Sequence, residues 1–237
     1  MQAGATPLTA TAVIAAAGSG ERLGAGGPKA FVELAGRPLL AHSLEAIAAA
    51  RRIGAVVVAA PAGAGLERAQ ALLGDYPTLE GTVVAGGPSR AESVALALEQ
   101  VRTELVVVHD AARPLAPPAL WDAVVERLER DPELAAVIAA APVTDTIKSA
   151  EPGTQVVTGT VSREGLWGAQ TPQGFRVEAL RAAQAAARAQ GRLAEATDEA
   201  RLIEEAGQRV GLEPGPAGNI KVTTTDDLLV AAALLGG

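Results

Sequence analysis

The first stretch of the chain that could do chemistry is Ala15-Ala16-Ala17-Gly18-Ser19-Gly20-Glu21-Arg22-Leu23-Gly24, followed by Ala25-Gly26-Gly27-Pro28-Lys29. Glycine lets the backbone turn tightly and brings N–H groups up to phosphate oxygens, an approach that side chains would obstruct. Arg22 and Lys29 add two cations to this loop, and oriented cations stabilise charge developing on a transferring phosphoryl group. A lone Arg or Lys is more commonly a solvated surface charge, and it is the glycine-rich setting that favours phosphate. Two familiar phosphate sites do not fit. The dinucleotide fingerprint G-x-G-x-x-G fails at Leu23, and the second strand runs into Ala59-Ala60-Pro61-Ala62 where a ribose-binding acid is expected. No G-x-x-x-x-G-K-[ST] occurs.

A second candidate is Asp110, just beyond the fourth strand, with Arg113 on the same loop. Ligands of open α/β sheets collect at the carboxyl ends of strands, which favours a functional Asp110 over a simple cap of the next turn. His109 reads as a strand-end packing residue and His42 as part of a helix face, since neither has the neighbours of a catalytic dyad.

These residues need a scaffold. Short β-branched or alanine-rich runs near 11–16, 55–60, 82–85, 105–109 and 135–140 alternate with amphipathic segments near 38–50, 64–73, 89–101 and 117–130. Pro38, Pro88 and Pro117 or Pro118 stand at or just before the first turns of these helices. The alternation predicts an α/β, Rossmann-like fold, a mostly parallel sheet flanked by helices. After Pro142 the pattern breaks. Residues 144–160 read as two extended runs around Glu151-Pro152-Gly153, a protruding β-hairpin arm. Beyond it come a return through Leu166 to Phe175, helices at about 177–189 and 198–206, a strand near 209–213 and a last helix from about 225.

Composition narrows the function classes. With 49% apolar residues and only five aromatic side chains (two Trp, two Phe, one Tyr), the core must be built from Ala, Val, Leu and Ile. The absence of cysteine excludes disulfides, thiolate zinc sites and cysteine nucleophiles, and two histidines do not suit a histidine-rich metal centre. A formal charge of −7 argues against a broad nucleic-acid surface, so a polyanion site must be a local cluster of cations. The apolar runs are too short for membrane helices, and the alanine run at 12–17 enters a polar glycine loop, unlike a secretory signal. The expectation is a cytoplasmic protein with neither a membrane nor a nucleic-acid partner.

From the glycine loop onward the chain resembles the 2-C-methyl-D-erythritol 4-phosphate cytidylyltransferase family. The match includes Ala16 to Leu23 with Pro28-Lys29, Gly86-Gly87-Pro88-Ser89-Arg90-Ala91-Glu92-Ser93-Val94, and Val108-His109-Asp110-Ala111-Ala112-Arg113-Pro114. It continues through Ala141 to Lys148, Arg163-Glu164-Gly165-Leu166-Trp167, Gln170-Thr171-Pro172-Gln173, Thr197-Asp198-Glu199-Ala200 and Asn219-Ile220-Lys221-Val222-Thr223. The glycine loop alone is shared by many sugar-nucleotide enzymes; the further blocks, in the family's order, carry the resemblance.

The resemblance implies one nucleotidyltransferase domain over 1–237, with 143–161 as an arm by which a homodimer forms and one subunit reaches over the other's site. It implies transfer of CMP from CTP to the polyol phosphate, with magnesium bound mainly through the CTP phosphates. Arg22, Lys29, Arg163 and Lys221 would then be catalytic, the first two on the triphosphate and Lys221 near the α-phosphate. Arg163 would position the substrate phosphate, as a guanidinium can through two parallel hydrogen bonds. Ala16, Ala17, Gly18, Gly87, Ser93, Asp110 and Ala111 would contact CTP. Asp110, Arg113, Thr146, Arg163, Thr171, Thr197 and Lys221 would contact the polyol phosphate, Thr146 from across the dimer. Ser93 could instead bond its own backbone. Two residues depart from the commonest pattern, Pro88 after Gly86-Gly87 and Ala30 after Lys29. A ribitol 5-phosphate cytidylyltransferase would share the CTP site, and a non-catalytic nucleotide-binding module would lack the intact cations.

Overall fold

In the computed structural model, residues 10–20 and 27–236 are described. The strands are short runs of branched and small residues: β1 (Ala10–Ala15), β4 (Ile53–Ala60), β5 (Glu80–Ala85), β6 (Leu105–Asp110), β7 (Leu134–Pro142), β10 (Trp167–Arg176) and β11 (Arg209–Pro214). They form one sheet in the order β11-β7-β10-β6-β1-β4-β5. All neighbours pair in parallel except β10, which runs antiparallel to both β6 and β7. β1 lies between β4 and β6, so its carboxyl end opens at the middle of that edge of the sheet.

Alternation along β1 sends Ala12 and Ile14 to one face and Val13 to the other. On the first face pack α1 (Leu39–Ala49), α2 (Ala64–Gly74) and α4 (Pro118–Arg130), through Leu40, Leu44, Ala69, Leu73, Trp121 and Val124. Against the second lie α3 (Arg90–Leu98), α5 (Val177–Ala189) and α6 (Glu199–Glu205), through Val94, Leu98, Leu180 and Ile203. Both layers are mainly Ala, Val, Leu and Ile, as the scarcity of aromatic residues requires. Ser89 caps α3 by accepting the Glu92 N–H at 3.2 Å, and Asp198 caps α6 by accepting that of Arg201 at 3.1 Å. The last helix, α7 (Thr225–Gly236), rests on a small cluster with Leu34, Leu39 and Val222. No helix among the described residues is long and apolar enough to cross a membrane.

The arm is a separate antiparallel pair, β8 (Ile147–Ala150) with β9 (Val157–Val161). Its turn closes through the Glu151 N–H donating to the Val156 carbonyl oxygen at 3.0 Å, with Gly153 at φ +79°. The arm springs from adjacent strands, because Trp167 and Gly168 of β10 pair with Pro142 and Ala141 of β7. Val156, Val157 and Val161 on the arm and Trp167 at its root are exposed.

Two elements differ from the sequence expectation. The return through Leu166 to Phe175 is β10, a strand inside the sheet. Its Pro172 reads against a central strand, but the pairing with β7 breaks between Ala169 and Gln173, around that residue. A two-residue hairpin, β2 (Glu33–Leu34) with β3 (Arg37–Pro38), also precedes α1; Ala35 and Gly36 turn it with φ of 51° and 76°.

Candidate active site

A cleft of about 680 Å³ lies at the carboxyl ends of β1 and β6. One wall is the glycine loop, Ala15 to Gly20, joined by Lys29 and Ala30; the opposite wall is Gly87 to Arg90 with Ser93; the floor is Asp110 to Ala112, with Lys221 and Thr223 beside it. Hydrogen bonds fix the loop: the Ala16 N–H donates to the Ala59 carbonyl oxygen at 2.9 Å, and the Lys29 N–H closes onto that of Gly18 at 3.2 Å. Glycine is required where two walls meet. A Cβ on Gly86 would lie 2.3 Å from the Ala17 Cβ and 2.9 Å from the Ser93 Oγ.

Lys29, Asp110, Lys221, Ala16, Ala17, Gly18, Gly87, Ser93 and Ala111 are thus brought together as the sequence suggests. Arg22 falls outside the described residues. The Ser93 hydroxyl donates to the Ser89 carbonyl oxygen at 2.8 Å and accepts the Gly87 N–H at 3.0 Å, so it shapes the wall through its own loop.

Asp110 is the electrostatic centre. Its Oδ1 accepts from Arg90 Nε at 2.7 Å and its Oδ2 from Lys221 Nζ at 2.6 Å. Arg90 also donates from Nη1 to both oxygens of the fully buried Glu199, at 2.9 and 2.7 Å. Burial alone would raise the Asp110 carboxyl, but Arg90 and Lys221 reverse this and hold it well below the usual carboxylate range. Burial likewise disfavours the Arg90 charge, which Glu199 and Asp110 more than restore. The Glu199 carboxyl is pushed up by burial, against the pull of Arg90.

Arg90 and Glu199 lie in two of the family-like blocks, but the sequence assigns neither a role. Arg90 opens α3 directly after its cap, and Glu199 stands in the first turn of α6, where an acid ordinarily complements the helix dipole. Only the tertiary fold brings them together.

Arg113 and Thr171 are not among the residues that line this cleft. Arg113 donates to the backbone carbonyl oxygens of Asn219 at 2.7 Å and Ala169 at 3.0 Å, bracing the segment that carries Lys221. Buried Thr171 supports Asp110 from behind. Its Oγ1 accepts the Asp110 N–H at 3.1 Å and lies 2.9 Å from His109 Nδ1, while His109 Nε2 lies 3.1 Å from the Arg113 carbonyl oxygen. A carbonyl can only accept, so Nε2 carries the proton and the Thr171 hydroxyl donates to Nδ1. This holds for the neutral ring, which burial favours by pushing the imidazole pKa down to about 4. His109 packs against Trp121, ring centroids 4.7 Å apart, as a core residue. His42 is also interior, with Nε2 2.9 Å from the Leu34 carbonyl oxygen. Thr197 is exposed ahead of α6, outside the cleft wall. Thr146 and Arg163 are exposed on the arm side, Arg163 donating to the Thr144 carbonyl oxygen, and neither lines the cleft of its own chain.

A mostly parallel sheet with a glycine loop at its carboxyl edge and lysines from two distant segments in one cleft defines a nucleotide-handling α/β protein of the nucleotidyltransferase class. The family model described as 2-C-methyl-D-erythritol 4-phosphate cytidylyltransferase matches residues 10–237. The protein of that name from Deinococcus radiodurans is 45% identical, over 98% of this chain and 91% of its own. That from Acidobacterium capsulatum is 42% identical, over 94% and 95%. The crystal structure of the enzyme from Thermus thermophilus superposes with a TM-score of 0.79 at 36% identity, covering 97% of this chain and 100% of the other. The chain belongs to the 2-C-methyl-D-erythritol 4-phosphate cytidylyltransferase family.

Proposed function

We propose that the protein transfers CMP from CTP to 2-C-methyl-D-erythritol 4-phosphate, giving 4-diphosphocytidyl-2-C-methyl-D-erythritol and pyrophosphate in isoprenoid precursor synthesis. The observation that carries this reading is the convergence of Lys29 and Lys221 on one cleft beside the glycine loop, in a chain of this family. An oxygen of the polyol phosphate attacks the α-phosphorus; its bond to the oxygen bridging to the β-phosphate breaks, and pyrophosphate leaves. That oxygen is already anionic near neutral pH, so no protein base is required. Two unit charges about 4 Å apart repel by about 4 kcal/mol at an effective dielectric of 20, and the overall charge of −7 has the wrong sign to help. In this reading the cleft lysines offset the repulsion, Lys29 at the triphosphate and Lys221 at the α-phosphate, and Arg22 is proposed to act with Lys29. Gly18 and Gly87 leave backbone exposed to the nucleotide on either side.

Magnesium is part of the proposal. Among the described residues Asp110 is the carboxylate of the cleft wall, and both its oxygens are taken by Arg90 and Lys221. Such a donor set suits an ion held by the triphosphate oxygens and its own waters. Bound there, it would neutralise phosphate charge; the protein's part is to cradle and orient the nucleotide.

A homodimer is proposed as well, with Arg163 and Thr146 of one protomer's arm completing its partner's site. Their exposure away from their own cleft and the exposed valines of the arm support this. The proposal includes a cytoplasmic location and small-molecule substrates, without nucleic acid or membrane. Pyrophosphate release from CTP and magnesium, with methylerythritol phosphate and ribitol 5-phosphate side by side, tests the assignment. Preference for the former is expected. Preference for ribitol phosphate would keep the chemistry and change the substrate, and no release with either would leave a nucleotide-binding module.

A further inference from the structure

Glu199, Arg90, Asp110 and Lys221 form an alternating row of charges drawn from four separate segments of the chain. The row begins at a carboxylate with no exposure and ends at Lys221, whose side chain is 40% exposed in the cleft. We propose that Arg90 and Glu199 are positioning residues for Lys221, with the two-armed Arg90 guanidinium anchoring Asp110 so that its second oxygen holds the lysine toward the reacting phosphates. This rests on the cytidylyl-transfer reading above.

Lysine is a point charge on a flexible stem and needs an external reference to be held in one place. Its reference here is Asp110 Oδ2, and Asp110 is held in turn by its other carboxylate oxygen and by its backbone N–H. Arg90 Nε holds Oδ1 at 2.7 Å, Lys221 occupies Oδ2, and the backbone N–H is held by Thr171 Oγ1 at 3.1 Å. Arg90 is fixed in turn by Glu199, which accepts from Nη1 through both oxygens. A single ammonium in place of the guanidinium could not reproduce these two separate arms. Buried ion pairs are weak evidence for stability, since apolar side chains of similar size often serve as well. A row of buried charges that ends at a cleft lysine therefore points to orientation. The charged and titratable groups that bear on Asp110 are Arg90 from α3, Lys221 from its loop, Glu199 from α6, His109 from β6 and Arg113 from the loop after it.

The test compares wild type with R90M/E199M, which removes the Arg90–Glu199 pair together and leaves Asp110 held by Lys221 alone, and with E199Q. The Asp110 carboxyl is followed by ¹³C NMR against pH in protein without substrates, and kcat is followed against pH with CTP and methylerythritol phosphate. In R90M/E199M the carboxyl should titrate about 1–3 pH units higher than in wild type, the acid limb of kcat moving with it. In E199Q, where a neighbouring negative charge is lost and Arg90 is kept, it should titrate no higher than in wild type. Titration of Asp110 at the wild-type position in the double variant overturns the proposal, as does a rise in E199Q or an acid limb that ignores the carboxyl. If R90M/E199M does not fold, E199Q decides by the same criterion. Should wild type show the carboxyl behaviour but no transfer to methylerythritol phosphate, the substrate assignment falls and the positioning row stands.

Discussion

Arg113 donates from Nη1 to the carbonyl oxygen of Asn219 at 2.7 Å, joining the loop after β6 to a segment 106 positions further along the chain. Lys221 stands two residues beyond that carbonyl. R113A leaves the part-buried Asn219 oxygen without this donor, a loss of about 1–2 kcal/mol, while the Ala169 oxygen, whose bond is exposed, can turn to water. Turnover should fall with stability because the register of Lys221 is loosened. R113K reaches one oxygen and should lie between. Urea unfolding beside steady-state turnover checks this; full turnover in R113A would show that the segment keeps its place unaided.

His109 makes stability pH-dependent. Its folded pKa of about 4 lies below the ordinary 6.5, so the unfolded chain binds a proton that the folded protein refuses. The contribution is fully present above pH 6.5 and is lost as pH falls toward 4, on the order of 3 kcal/mol across the window. Asp110, held below the usual carboxylate range, contributes stability that is lost only at lower pH. Calorimetry should find the melting temperature falling between pH 6.5 and 4, and falling less in H109Q; parallel slopes would remove His109 as the cause.

Gly86 and Gly18 should respond differently to alanine. At Gly86 the new methyl meets Ala17 and Ser93, whereas at Gly18 nothing lies within 4 Å. G86A should cost about 1–3 kcal/mol through overpacking. G18A should melt as wild type does, so any rise in its KM for CTP would report on the nucleotide itself. Equal melting of the two variants would contradict the packing argument.

The shared-site proposal predicts complementation. K221A and R163A should each be nearly inactive, yet mixing them under conditions that exchange subunits should restore activity, since one site of the mixed dimer has Lys221 from its own chain and Arg163 from the other. No recovery, with exchange verified by mass, would place Arg163 in its own protomer's site.

Much of this was legible in the sequence where the physics is local. The glycine loop, the prolines opening α1, α3 and α4, and the turn of the arm follow from backbone preferences that a few residues determine. β10 was hidden because its Gln170 to Gly174 stretch carries neither β-branched alternation nor freedom from proline, and the sheet accepts it through a local break in pairing. Roles inside the site were harder. Arg113 and Thr171 look like ligand contacts from their neighbours in sequence, and the bonds they make to the backbone at Asn219 and at Asp110 appear only in the fold. Arg90 and Glu199 are 109 positions apart, and each has a sufficient local reason to stand at a helix start.

The chain has two tryptophans, and the fold separates them completely. Trp121 is fully buried against His109, and Trp167 is 38% exposed where the arm leaves the sheet. Intrinsic fluorescence therefore has two independent channels. Protonation of the imidazole should quench the blue emission of Trp121, while an event that covers the root of the arm should shift the redder emission of Trp167, so that W167F and W121F proteins each report one process without an added dye.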